Sequence, residues 1–291
     1  MSKVLRKKVL QPQLVTPRAI CVWGTHGAPG RTTIAINLAC ELALNGARVL
    51  LIDLDSQAPS IADCFGLLDE KPGVAAVCRL VGQGRLDLTQ LERLSTSYDV
   101  AGGRLSVMTG LRAANRWPEL TREKIQSLVS IAKQHFDYVV MDVSADIEVG
   151  IRQIGGVVDR NCASRTALEV ADQAIAVFSA DPIGVRRLVD SFQNLSELFA
   201  KPLLVANRLR ASSLGPSARQ QIEDAVMQLC RHEVAAFVAL DIDSCDKALM
   251  QAVPLAMMKR TSKARQAIAQ LARLNFGAEL GAARVGVAKL D

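Results

Sequence analysis

Aromatic residues are scarce in this 291-residue chain, at 4%, which argues against the stacking platforms that hold single-stranded nucleic acid. No run of about 18 apolar residues is present, so the sequence offers no helix for crossing a bilayer. The basic stretch Met1–Ala19 is not followed by a signal-type apolar region and does not read as a secretory leader. Seven cysteines, at 21, 40, 64, 78, 162, 230 and 245, include no C-x-x-C pair, which removes the common zinc and dithiol spacings. Most of them sit in apolar segments, as buried thiols in a reducing compartment do. The expected location is therefore cytoplasmic. Neither an internal repeat nor a Pro/Gly-rich linker divides the chain. It reads as one domain, residues 19–275, between a basic N-terminal extension (1–18) and a C-terminal tail (276–291).

Apolar residues make up 49% and charged residues 22%, enough for a sizeable core and too apolar for general disorder. Charge is unevenly placed. Residues 1–18 carry five Lys/Arg and no acids, and residues 247–291 carry eight against Glu279 and Asp291, while the centre holds 22 basic and 27 acidic residues. Basic ends on an acidic body fit contact with DNA or anionic lipid, and they equally fit solubilising charge on frayed ends.

Short apolar runs alternate with segments of helical period. Ala19–Trp23 reads as a strand. In the segment after it, Ile34, Leu38 and Leu42 recur every four residues beside Ala35, Ala39 and Ala43, a pattern for a helix packed closely on a sheet and closed by Asn45-Gly46. Arg48–Asp53, Arg104–Thr109, Tyr138–Asp142, Gln173–Phe178, Pro202–Ala206 and Val234–Leu240 read as further strands. Ile125, Leu128, Val129, Ala132 and Phe136 mark a helix. Asp181-Pro182 is a cap-and-first-turn signal for another, and Thr261 or Ser262 starts a last one. Strands alternating with helices predict an α/β, doubly wound, mainly parallel sheet of about seven or eight strands with helices on both faces.

Between the first strand and first helix lies Gly24-Thr25-His26-Gly27-Ala28-Pro29-Gly30-Arg31-Thr32-Thr33. A glycine-rich turn at a helix N-terminus suits a phosphate group, although the strict G-x-x-x-x-G-K-[ST] pattern is broken by Thr25 and Arg31. The second strand ends in Asp53-Leu54-Asp55 and a later one in Asp142. Three carboxylates at strand C-terminal ends, where open α/β sheets bind ligands, suit a magnesium nucleotide.

The run Ile20–Thr33 resembles the deviant Walker A motif, KGGxGK[ST][ST], of the MinD/ParA ATPases. Leu51-Ile-Asp-Leu-Asp55 is similar to their switch I, and Asp142-Val-Ser-Ala-Asp-Ile-Glu148 to the MinD switch II. The likeness continues in order through Ala171-Asp-Gln-Ala-Ile, Asp181-Pro-Ile and Val205-Ala-Asn-Arg208 to Ala252-Val-Pro-Leu255, and so spans about residues 19–274. The Asn-Arg pair and the Pro-Leu ending resemble most the pilus-localising CpaE/TadZ branch. This resemblance implies a P-loop ATPase that uses ATP and Mg²⁺ and forms a nucleotide-dependent homodimer. Such a dimer positions a cellular assembly (pilus or secretion machinery, chromosome or division site), recruited through a protein partner at a pole, nucleoid or inner-membrane complex. Gly27, Ala28, Pro29, Gly30, Arg31, Thr32 and Thr33 would hold phosphates. Thr32, Asp53 and Asp142 would serve the metal, Asp55 would orient water, and Asn207 with Arg208 would meet adenine. The run Asn-Arg-Leu-Arg also lacks the Asp of a guanine-reading N-K-x-D.

Two departures bear on catalysis. His26 stands where the family's signature Lys reaches across an ATP-sandwiched dimer, and Arg31 stands at the loop Lys. Histidine is a part-time cation near neutral pH, and Arg is planar and bulkier than Lys. Phosphoryl transfer depends on positioned charge, so slow hydrolysis through His26, Arg31 and Asp55 is expected, and a non-hydrolysing scaffold on the same fold is the rival reading. Asp146 also replaces a MinD-like Gly, and Gly150–Arg165 looks longer than the family's spacer there. A DNA contact would use Lys259, Arg260, Lys263, Arg265 and Arg273, with a solvated helix face as the alternative. Phe276–Asp291 has little apolar bulk, so membrane anchoring is not expected.

Overall fold

The computed structural model describes residues 18–67, 72–149, 151–153, 156–258 and 261–284. Most of the N-terminal basic extension, the pair Lys259-Arg260 and the end of the tail lie outside the described residues.

In chain order the elements are β1 (Arg18–Gly24), α1 (Arg31–Leu44), β2 (Val49–Asp53), α2 (Ile61–Cys64), α3 (Gly73–Gly82), α4 (Leu88–Leu94), β3 (Thr96–Val100), β4 (Gly103–Met108), α5 (Arg122–Lys133) and β5 (Tyr138–Asp142). They continue with β6 (Ile151–Gln153), β7 (Gly156–Val158), α6 (Cys162–Val170), β8 (Gln173–Ser179), α7 (Pro182–Leu198), β9 (Leu203–Leu209), α8 (Ala211–Leu214), α9 (Ala218–Cys230), β10 (Val234–Ala239), α10 (Ile242–Met250) and α11 (Lys263–Arg284). Eight strands form one sheet in the order β10-β9-β8-β1-β5-β2-β4-β3. All neighbours are parallel except β3, which returns antiparallel on β4.

The pleat divides each central strand between two cores. Ala19, Cys21 and Trp23 of β1 join one, with Leu128 of α5 and Leu188 of α7. Ile20 and Val22 join the other, with Ile34 and Leu38 of α1 and Ile268 of α11. Helices therefore cover both faces, which is why the inner strands are apolar without a break rather than alternating. Helix α1 is buried from Ile34 to Ala43 because α11 covers the side turned away from the sheet. Each fully buried Ile or Leu of this helix contributes about 1.5–3 kcal/mol.

The strands and helices expected from the sequence are all present. Asp181 caps α7, accepting from Gly184 N at 2.8 Å, with Pro182 in the first turn. Not anticipated were the edge strand β3, helices α2, α3, α4, α6, α8, α9 and α10, and the short antiparallel pair β6–β7. That pair occupies part of the Gly150–Arg165 stretch, of which Gly150, Ile154 and Gly155 lie outside the described residues.

Candidate functional site

Parallel pairing puts the three strand-end carboxylates together. Asp53 of β2 and Asp142 of β5 are register partners on neighbouring strands, and Leu54 N donates to Asp142 O at 2.8 Å. On the other side, β1 runs between β5 and β8 and leads into the glycine-rich turn. The turn is then carried back over the sheet to the start of α1. Thr32, in the first turn of that helix, donates its hydroxyl to Asp142 Oδ2 at 2.6 Å.

These carboxylates are buried at a cost. Asp142 is 1% exposed, and its Oδ1 has no hydrogen-bond partner. Burial, then the neighbouring Asp53, holds its carboxyl well above the usual range. Asp53 accepts from the backbone N–H of Asp55, Ser60 and Ile61 at 3.0–3.1 Å. Burial nevertheless pushes its pKa up to about 7, with the Asp55 charge adding to it. Asp55 is fixed as a turn, its Oδ1 accepting from Gln57 N at 2.8 Å and Ala58 N at 2.9 Å. Among the described residues no three acids are grouped to hold a metal ion by themselves. The orphaned Asp142 oxygen beside the Thr32 hydroxyl is the oxygen donor that fits a hard divalent cation completed by a ligand's own oxygens.

The loop cations are not free. Arg31 runs along the base of the turn, where its Nε donates to Val143 O at 3.1 Å and its Nη1 to Thr25 O at 3.3 Å, and Nη2 lies 3.5 Å from Asp55 Oδ2. His26 is exposed but pairs with Asp146 Oδ1 at 2.8 Å. Gln57 Nε2 donates to Asp146 Oδ2 at 2.5 Å. One carboxylate thus joins the glycine-rich turn, the loop after β2 and the loop after β5. Two residues that depart from the family pattern, His26 and Asp146, prove to be each other's partners.

Asn207 lies at the end of β9 and reaches the turn itself. Its Nδ2 donates to Pro29 O at 2.7 Å, and its Oδ1 accepts from Arg208 N at 2.8 Å. Gly30 has φ +95°, and a Cβ there would stand 2.5 Å from Asn207 Nδ2. Gly30→Ala should therefore destabilise the fold by about 1–3 kcal/mol and weaken nucleotide binding with it. Urea unfolding checks the first effect, and unchanged stability would show that Asn207 can move aside. Thr33 borders an apolar cleft of about 160 Å³ between α1, α2 and α10, lined also by Ile36, Cys64, Leu249 and Leu255.

Other residues of the site carried no sequence signal. Trp23 Nε1 holds Ala145 O at 2.8 Å, Arg165 Nη1 holds Ile147 O at 3.0 Å, and Ser56 Oγ donates to Arg160 O at 3.1 Å. The stretch read as an insertion is thus tied to the loop after β2. Arg265, counted in a basic surface, is instead turned inward, with its Nε on Glu41 Oε1 at 2.9 Å and its side chain 14% exposed. The glutamate neutralises the charge that a DNA phosphate would need.

An AAA-domain family model matches residues 17–154, the part that carries the turn and both following loops. The septum site-determining protein MinD of Bacillus subtilis is 28% identical over 242 residues, covering 82% of each chain. In sequence the chain is similar to MinD proteins, and its fold is that of the MinD/ParA P-loop ATPases. A ParA family ATPase from Chlorobium tepidum shares the fold with a TM-score of 0.71 at 17% identity, over 88% of this chain and 98% of that one. Pyrococcus horikoshii MinD, solved with Mg-ADP, aligns with a TM-score of 0.67 at 18% identity, over 94% of this chain and 100% of the other. Among the described residues of this MinD-like chain, no helix is long and apolar enough to cross a membrane.

Proposed function

We propose that this chain binds ATP with Mg²⁺ in the turn Gly27–Thr33 and that ATP-linked dimerisation lets it position a cellular assembly through a protein partner. The carrying observation is the orphaned Asp142 Oδ1 beside the Thr32 hydroxyl, with Asp53 alongside. Thr32, Asp53 and Asp142 would hold the metal, which when bound supplies positive charge to the phosphates. Gly27, Ala28, Pro29 and Gly30 offer the curved backbone, and Asn207 fixes that curve from β9 while Arg208 follows it. Asp55, already turned toward Arg31, is the residue to orient water. The glycine-rich turn, the Asn207-Arg208 pair and the Pro254-Leu255 ending support a deviant Walker A loop of the CpaE/TadZ type, which makes a pilus or secretion apparatus the first cargo to test.

Titration calorimetry with ATP·Mg²⁺ and GTP·Mg²⁺ tests the reading. ATP should bind and GTP should bind at least tenfold more weakly. Equal affinities, or binding of neither, would refute it. A second reading, a scaffold that binds nucleotide without hydrolysing it, is favoured by the engagement of Arg31 beneath the turn and of His26 with Asp146. Phosphate release measured beside sedimentation separates the two, since the scaffold dimerises with ATP and releases none.

A further inference from the structure

Binding a triphosphate requires positive charge on the open side of the turn, and neither cation within the turn is available there. Arg31 is spread over Val143 O, Thr25 O and Asp55, and His26 is held by Asp146. A third cation comes from a different part of the chain. Arg187, in the second turn of α7, lays its guanidinium across Gly27, so that a Cβ built on Gly27 would collide with Nη1. The same Nη1 donates to His26 O at 3.3 Å. Both Gly27 and Arg187 are exposed, so they meet on the solvent side of the turn.

Among the described residues no carboxylate pairs with the Arg187 guanidinium, whose hydrogen bond goes to a neutral carbonyl. Its neighbour Arg186, by contrast, lies 3.6 Å from Asp190. The position of Arg187 is fixed by its helix. Asp181 caps that helix, and Val185 and Leu188 on either side of it are buried against the sheet. A guanidinium so placed has five donors in a rigid fork, suited to bridging phosphate oxygens. Glycine at position 27 is what allows this approach.

We infer that Arg187 is a phosphate-binding residue of this site, giving from α7 the charge that a lysine within the turn would otherwise give. The assignment rests on the nucleotide reading above and names the cation by which that site holds its polyphosphate. It concerns one protomer and needs no partner copy.

Calorimetry of the wild-type chain, Arg187→Gln and Arg187→Lys with ATP, ADP and AMP, each with Mg²⁺, tests it. Arg187→Gln should weaken ATP by roughly 10–100-fold, as expected for a charge-assisted hydrogen bond. ADP should lose less and AMP least. Arg187→Lys should recover part of the loss, and melting curves should coincide because the side chain is exposed. Unchanged ATP affinity in Arg187→Gln would overturn the assignment while leaving the nucleotide reading standing. An equal loss for all three nucleotides, unrecovered by Lys, would make Arg187 a brace of the turn and also overturn it. A wild-type chain that binds none of the three would remove both readings together.

Discussion

Asp142→Asn is expected to raise the thermal midpoint of the nucleotide-free protein at pH 8 while abolishing the tightening of ATP binding by Mg²⁺. The side chain is 1% exposed with one oxygen unpartnered, next to a second buried carboxylate, Asp53. Asparagine keeps an acceptor for the Thr32 hydroxyl and removes the charge. Relief of a buried, unsatisfied charged group amounts to about 1–3 kcal/mol, or roughly 2–10 °C for a domain of this size. Calorimetric melting with and without ATP·Mg²⁺ measures both halves. A lower midpoint without ligand would mean that the carboxylate is compensated, and retained magnesium dependence would remove Asp142 from the metal site.

The same pair sets a pH dependence whose sign follows from the direction of the shifts. Asp53 is raised to about 7 and Asp142 is raised as well, both chiefly by burial, whereas in the unfolded chain each loses its proton near the reference value of about 4. Between these values the native state holds more protons than the unfolded state, so stability falls as pH rises. The decline should begin at about pH 4 and pass through about pH 7, where the folded Asp53 titrates, with Asp142 extending it in the same direction. It should be shallower in Asp142→Asn. These acids are thus held at a loss by their burial, as the proposed cation site requires.

What the sequence made legible was local. Buried strands betray themselves by apolar runs, α1 by its four-residue repeat, and the start of α7 by Asp181-Pro182, because each depends on neighbours along the chain. Strand β3 was missed because Ser97 and Asp99 face solvent and its pairing comes wholly from β4. The candidate site was half legible. Carboxylates at strand ends could be placed together once a parallel sheet was expected, since register partners fall at the same edge. Side-chain direction could not be read in the same way. Arg31 turns beneath its loop because Val143 O and Asp55 accept it there, and Asn207 is drawn to Pro29 O across 178 positions. Arg265 leaves the expected basic face for the same reason, since Glu41, 224 positions away, binds it, while Lys263 and Arg273 stay exposed.

Restoring the family's residues at His26 and Asp146 together should raise ATP turnover and ATP-linked dimerisation far more than either change alone. His26→Lys by itself would leave an ammonium beside Asp146, at the place where the imidazole now sits 2.8 Å from a carboxylate oxygen. Such an ion pair within one protomer removes the charge from any partner. Asp146→Gly alone would free His26 and also Gln57, which donates to the other oxygen, but would leave a residue of weaker positive charge. Only the double variant yields an unpaired lysine on a released turn. A charge-assisted contact of about 1.5–3 kcal/mol corresponds to roughly 10–100-fold in either quantity. The coupling between the sites, read as the departure from additivity, should be of order 1 kcal/mol or more. Phosphate release and sedimentation with ATP on the wild type, both single variants and the double complete the cycle. Additive effects would mean that the Asp146 carboxylate does not restrain the residue at position 26, and an inert double variant would place the limit on turnover at Arg31, which remains bound to Val143 O and Asp55 in all four proteins.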